Sequence, residues 1–442
     1  MSISPALRRA RAIAALCVGL AWRASPAMAA PDAPDVSVAA SAADEAASEP
    51  LTLDVARRLA ARAQPAIEAQ GHAVDALRAA AVAARQLPDP TLKGGVTDLT
   101  ITGPDVGTLR RQTDTQFTVG IAQAFPRGDK RRLRGERADA EAALAARRLL
   151  TDRLTLERDV GLAWLDVWKA VQAQSLARQA EHEASLQLDA VRIAYASGRS
   201  AQADVRAASV ALELLRDDRA KLEQDEAHAR AALSRWLGDV AYRPLAPGAP
   251  DIADPPPLPE LLTGLRTHPH VNIADAEVTV AEADVALAKQ AYRPDFSIEI
   301  GYGHRPAFSD YVNLQVGIDL PVFTANRQDR SLLARRAELE RAEALREDSF
   351  RERAADARLN HGDWVLLGRR LASFDSVILP EAEARIEAAR LAWAGGQGTL
   401  AAVLDARQSL LTTRLRRLDL ETDRSRHALA LRYLGVSADG AK

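Results

Sequence analysis

Residues 129–195 run for 67 positions without a proline and without a glycine cluster. A single helix over such a stretch is on the order of 100 Å long, at ~1.5 Å per residue. No compact domain holds a straight helix of that length, so the stretch reads as coiled coil or long bundle. Residues 327–393 read as another helix of the same length. Each run ends in a glycine-containing turn, Ser197-Gly198-Arg199-Ser200 and Gly395-Gly396-Gln397-Gly398. A return helix follows each turn, at about 202–237 and 399–434.

Ahead of each long helix lies a pair of strand-like segments. Phe117, Val119 and Ile121 alternate in the first half; Phe296, Ile298, Ile300 and Tyr302, then Val312, Leu314, Val316 and Ile318, alternate in the second. That period of two is the signature of strands with one apolar face. The two halves superimpose as sequences. Val119-Gly120-Ile121 matches Val316-Gly317-Ile318, Gly198 matches Gly396, and Leu237-Gly238 matches Leu434-Gly435. The chain is therefore a tandem duplication of one long unit. The first repeat spans 51–238, with strands near 91–101 and 114–125. A proline-rich linker covers 239–259. The second repeat spans 260–436, with strands near 295–303 and 311–321, and a short tail covers 437–442. The fold class is mainly α with a small β part.

Residues 1–30 stand apart. Arg8, Arg9 and Arg11 precede an apolar run at 12–22, and Ala27-Met28-Ala29 is a small-x-small cleavage pattern. This predicts a secretory signal peptide, followed by a flexible arm at 31–50. Its removal takes away four arginines and no acids, moving the net charge from −2 to −6. A balance of 58 basic and 60 acidic residues also argues against nucleic acid as a partner. The one cysteine, Cys17, falls inside the apolar run, which excludes thiolate chemistry from the mature chain. No later stretch approaches eighteen apolar residues, so any membrane crossing is made by strands.

Four strands are too few to close a barrel, since membrane barrels need about 8 or more, and an open sheet edge is not stable in lipid. The hairpins are then either a soluble sheet on a periplasmic coiled-coil scaffold or one share of an oligomeric barrel. No phosphate loop, nucleophile elbow or dinucleotide fingerprint is present, so an enzyme is the least supported class. Among eight histidines only His268-Pro269-His270 is close-set. It lacks the spacing of a helix-face metal site and reads as a helix start.

Several segments resemble the TolC family of outer-membrane efflux channels. They are FTVGIAQAF at 117–125 followed by Arg127-Gly128-Asp129-Lys130-Arg131, Tyr292-Arg293-Pro294-Asp295-Phe296, IDLPVF at 318–323, and Leu379-Pro380 with Glu383. Tyr195-Ala196-Ser197-Gly198, Trp393 with Gly396, and Val403-Leu404-Asp405-Ala406 complete the set, which covers roughly 50–436. The resemblance implies a homotrimer with a twelve-stranded barrel in outer-membrane lipid and a long periplasmic helical tunnel. A periplasmic adaptor and an inner-membrane pump join it, and no cofactor is bound. It implies that segments near 239–257 and at both termini form a belt around the tunnel.

The same resemblance makes Gly198, Arg199, Ser200, Gly396, Gln397 and Gly398 candidates for adaptor docking. It makes Trp393, Asp405 and Asp204 candidates for a periplasmic gate, since a ring of carboxylates at a narrow mouth favours cations. Plain chain reversal accounts equally for the glycines, and an ordinary solvated position for Asp405. Two departures from the family stand out, Ala402 in place of a second acid and Gly398 in place of an arginine. Pro88-Asp89-Pro90, residues 128–131 and residues 321–329 look most like the heavy-metal (cobalt-zinc-cadmium) branch, with drug or solvent export and type I secretion as alternatives within the family.

Overall fold

The computed structural model describes residues 50–62, 64–99, 101–103, 106, 114–306 and 308–436. The expected signal peptide, the arm before residue 50 and the tail after 436 lie outside the described residues, as do Pro104, Asp105 and Gly107 of the first hairpin loop.

The chain opens with helices α1 (Leu53–Arg62) and α2 (Pro65–Ala84). Strands β1 (Thr91–Thr97) and β2 (Gln116–Phe125) follow, then α3 (Lys130–Ala196) and α4 (Gln202–Leu237). The second half gives α5 (Leu258–Gly264), α6 (Pro269–Gln290), β3 (Phe296–His304) and β4 (Tyr311–Ile318). It ends with α7 (Gln328–Ser373), α8 (Leu379–Ala394) and α9 (Leu400–Leu434).

Pro65 and Pro380 fall inside stretches of continuous helical pattern, and Pro269 begins a helix where His268-Pro269 reads as a start. Pro65 and Pro269 each sit in the first turn of a helix, where a missing N–H costs nothing. Each therefore starts a new helix instead of interrupting an old one. Between α7 and α8 the residues Phe374–Ile378 form a π-helical turn. Pro380 has no N–H for the preceding turn, and the wider winding absorbs the mismatch without ending the helix.

His268 caps α6. Its Nδ1 accepts the His270 amide at 3.2 Å, and its Nε2 lies 3.2 Å from the Tyr433 carbonyl. That pairing requires a neutral ring with its proton on Nε2. Burial pushes the His268 pKa down to about 4. Between pH 6.5 and about 4 the unfolded chain binds a proton that the folded chain refuses. Stability therefore falls as pH falls through that window, by roughly 3 kcal/mol from this group. The melting temperature of purified protein is expected to drop between pH 7 and pH 4. His268→Gln is expected to lower it at neutral pH and to flatten the pH slope.

The main apolar core lies midway along α3. Val160, Trp164, Leu165, Val167 and Trp168 pack there with Leu233 of α4 and Leu429 of α9. The proline-rich segment crosses this region. Leu51 and Leu245 form a parallel bridge, the Trp164 indole donates to the Leu51 carbonyl at 3.1 Å, and the Trp168 indole donates to the Gly248 carbonyl at 2.8 Å. Trp168 thus ties the linker to the long helix through one of its carbonyls, and Trp164 does the same for Leu51, which the bridge joins to the linker.

Candidate functional site

The four strands form one antiparallel sheet in the order β1-β2-β3-β4. The register places Leu92, Ile121, Ile300 and Leu314 in one row across it, and Val119, Tyr302 and Val312 in the next. All seven point to the same face, because side chains alternate along each strand. That face is open: Leu92, Val312 and Leu314 are 73, 71 and 67% exposed. The opposite face carries Thr118, Ser297, Asn313, Gln315 and an ion pair between Lys93 and Glu299. Exposing a whole row of large apolar side chains to water is unfavourable, at about 25 cal/mol per Å². The outer edges of β1 and β4 pair with nothing in the described chain, which leaves both hydrogen-bonding rows open.

The two tips share one backbone design. In the first, the Arg199 amide donates to the Ala194 carbonyl and the Gly198 amide to the Tyr195 carbonyl, both at 2.9 Å. In the second, the Gln397 amide donates to Ala392 at 2.9 Å and the Gly396 amide to Trp393 at 3.1 Å. These are two Schellman motifs. Gly198 and Gly396 both take φ +73°, the left-handed region that favours glycine. Gly398 serves a different need. A β-carbon there would sit 3.0 Å from Cβ of Ala392 and 3.1 Å from the backbone beside it, so a side chain fits only if the returning chain gives by a few tenths of an ångström. Arg199 and Gln397 lie exposed at the two tips, whereas Ser200 is half-buried.

The gate candidates separate into three roles. Asp204 accepts from the Ser200 hydroxyl at 2.7 Å and from the Ala201 amide at 3.0 Å. These bonds, the Ser200 one first, hold its carboxyl below the usual range. It is the acid at the third position of α4, reaching back to the helix start. Trp393 is half-buried against the apolar cluster that includes Val191, Ala208, Leu212 and Leu400, which fastens the second tip to the first. Asp405 is exposed and pairs with Arg385 of α8 across the second hairpin. Sequence reasoning missed that partner. It also missed the Arg414–Glu383 and Arg417–Asp375 pairs between the same two arms, and Arg407–Glu183, which joins α9 to α3 at 2.9 Å. No group of three or more metal-ligating side chains occurs among the described residues.

The described chain is thus a segregated sheet with open edges set on two very long helical hairpins. Residues 56–239 match the family described as outer membrane efflux protein. The cobalt-zinc-cadmium resistance protein CzcC of Cupriavidus metallidurans is 27% identical over 381 residues, covering 84% of this chain and 87% of the relative. The fold is shared with the solved structure of CusC, at a TM-score of 0.76 and 18% identity, covering 88% of this chain and 92% of that one. It is shared with the outer membrane protein VceC of Vibrio cholerae, at a TM-score of 0.72 and 19% identity over 87% and 96% of the two chains. Residues 56–239, the first repeat, thus carry the outer membrane efflux protein match, and the chain as a whole shares the fold of CusC and VceC.

Proposed function

We propose that this protein is the passive outer-membrane duct of a tripartite efflux system and that its cargo is heavy-metal cations. Three copies supply twelve strands, which closes a barrel, removes every open edge and turns the apolar face to lipid. The helices carry the duct into the periplasm, where the tips meet an adaptor and, through it, an inner-membrane pump. The pump supplies the energy; the duct binds no cofactor and carries out no reaction. The observation that carries this reading is the sheet itself, apolar on one whole face, polar on the other and unpaired at both edges.

The metal cargo rests on the likeness to the cobalt-zinc-cadmium relative. Asp405 and Asp204 then act at the periplasmic mouth in different ways. Asp204 shapes the tip turn, and Asp405 balances Arg385 in the arrangement described here. Deleting the gene is expected to lower tolerance to at least one of zinc, cobalt and cadmium, with tolerance restored by the plasmid-borne gene. Unchanged growth on all metals together with new sensitivity to dyes or detergents would move the cargo to organic compounds.

A further inference from the structure

Directly beyond the sheet the surface changes character twice. The first change is apolar. Phe125 and Phe296 stack with ring centres 5.3 Å apart at the ends of their strands, and Leu320, Val322 and Phe323 follow β4 with exposures of 67, 67 and 81%. Aromatic and aliphatic side chains left open at a strand end mark the depth where hydrocarbon gives way to headgroups.

The second change is charge. Residues 127–137 hold six basic and two acidic side chains, and residues 327–336 hold four basic and one acidic. Both segments open a long helix, where the macrodipole disfavours positive charge. Some of these cations are satisfied within the chain: Lys130 by Asp295 at 2.8 Å, and Arg137 and Arg335 both by Asp284. Arg127, Arg131, Arg293, Arg327 and Arg330 are all exposed and form no ion pair with a described residue, and exposed Arg134 acts on Asp295 only through its charge, without a direct ion pair. Arg127, Arg131 and Arg134 lie at most about 7, 18 and 23 Å from Phe125, given ~1.5 Å per helical residue and ~3.3 Å per extended one.

A belt of unpaired arginines against an apolar-aromatic rim has the charge complementary to an anionic headgroup, and guanidinium is the side chain best suited to phosphate. We propose that this arginine collar binds the phosphates of anionic glycerophospholipids in the periplasmic leaflet of the outer membrane, fixing the depth and tilt of the duct. The inference rests on the channel reading above, since it needs the sheet to lie in a membrane.

The test uses the full-length protein, purified as its oligomer and placed in nanodiscs of phosphatidylethanolamine with phosphatidylglycerol or cardiolipin. Native mass spectrometry of lipids retained after release reads the preference. Wild-type protein is expected to retain the anionic lipids severalfold over phosphatidylethanolamine, and less so at high salt. R131Q/R134Q and R327Q/R330Q are each expected to reduce that preference while keeping the heat-modifiable oligomer. The matching lysine variants are expected to keep most of it. Equal retention of anionic and zwitterionic lipid by wild-type protein overturns the collar and leaves the channel standing. A protein that neither inserts nor forms an oligomer overturns both.

Discussion

Ile300→Arg is expected to abolish the heat-modifiable oligomer in outer-membrane fractions. Ile300 sits at the middle of β3, opposite Ile121 on one side and Leu314 on the other. It lies on the apolar face and is 58% exposed. An arginine near the bilayer midplane on the lipid face of a barrel costs about 2–4 kcal/mol. A trimer carries the change three times, so the total is roughly 6–12 kcal/mol, similar to the whole stability of an ordinary folded domain. The control is Gln315→Arg, on the polar face beside Glu299, where a cation faces water and an acid. Heated and unheated samples on a semi-native gel separate the two variants. An Ile300→Arg protein that migrates like wild type would mean that this face never meets lipid, and the soluble-scaffold alternative would replace the duct.

Much of this architecture was legible in the chain because its elements are long and their periods clean. Residues 312–318 alternate without a break, and the structure pairs them with β3 through Val316 and Ile298. The long helix predicted over 129–195 is Lys130–Ala196 in the structure. The misreadings have local causes. A proline in the first helical turn is compatible with the periodicity on both sides, so the break before Pro65 leaves no mark in the pattern, whereas His268-Pro269 reads as a helix start and the helix begins there. The first strand was drawn to about residue 101 but ends at Thr97, where Asp98 turns with φ +56°. Leu99 and Ile101 alternate beyond that point, one residue out of phase with Leu92 and Val96, so they extend the apolar pattern without continuing the same face.

The ion pairs were harder to read because they depend on hairpin register. Arg385 lies eleven residues before Gly396 and Asp405 nine after it; Asp375 and Arg417 are each twenty-one away. Folding the sequence back about Gly396 brings each acid to its arginine, so the tip glycine contained the signal once used as a pivot. Asp204 is a gate candidate through the resemblance, and a hydroxyl four residues earlier with a helix start between them is also the ordinary setting of a capping acid. Two carboxylates at similar distances past their tips therefore do different jobs. One holds a turn, and the other bridges two helices.

Gly396→Val and Gly198→Val are expected to remove metal tolerance while leaving the oligomer intact. Both positions need φ near +73°, and a β-branched residue there is a genuine outlier. The left-handed conformation costs an ordinary residue about 1–2 kcal/mol, and valine more, so the turn is reshaped and the following helix start shifts. At the first tip this displaces Ser200 and breaks its bond to Asp204; at the second it disturbs the Thr399 hydroxyl, which accepts the Ala402 amide at 3.2 Å. The sheet is unaffected, because the 67 residues of α3 separate it from the first tip by about 100 Å. Asparagine tolerates the left-handed region, so Gly→Asn at either site is expected to support growth on metal close to wild type. Growth assays with a pull-down of the co-expressed adaptor check both halves of the claim. If the valine variants export normally, docking does not depend on the tip backbone. If they lose the oligomer as well, the glycines are needed for assembly and not for docking.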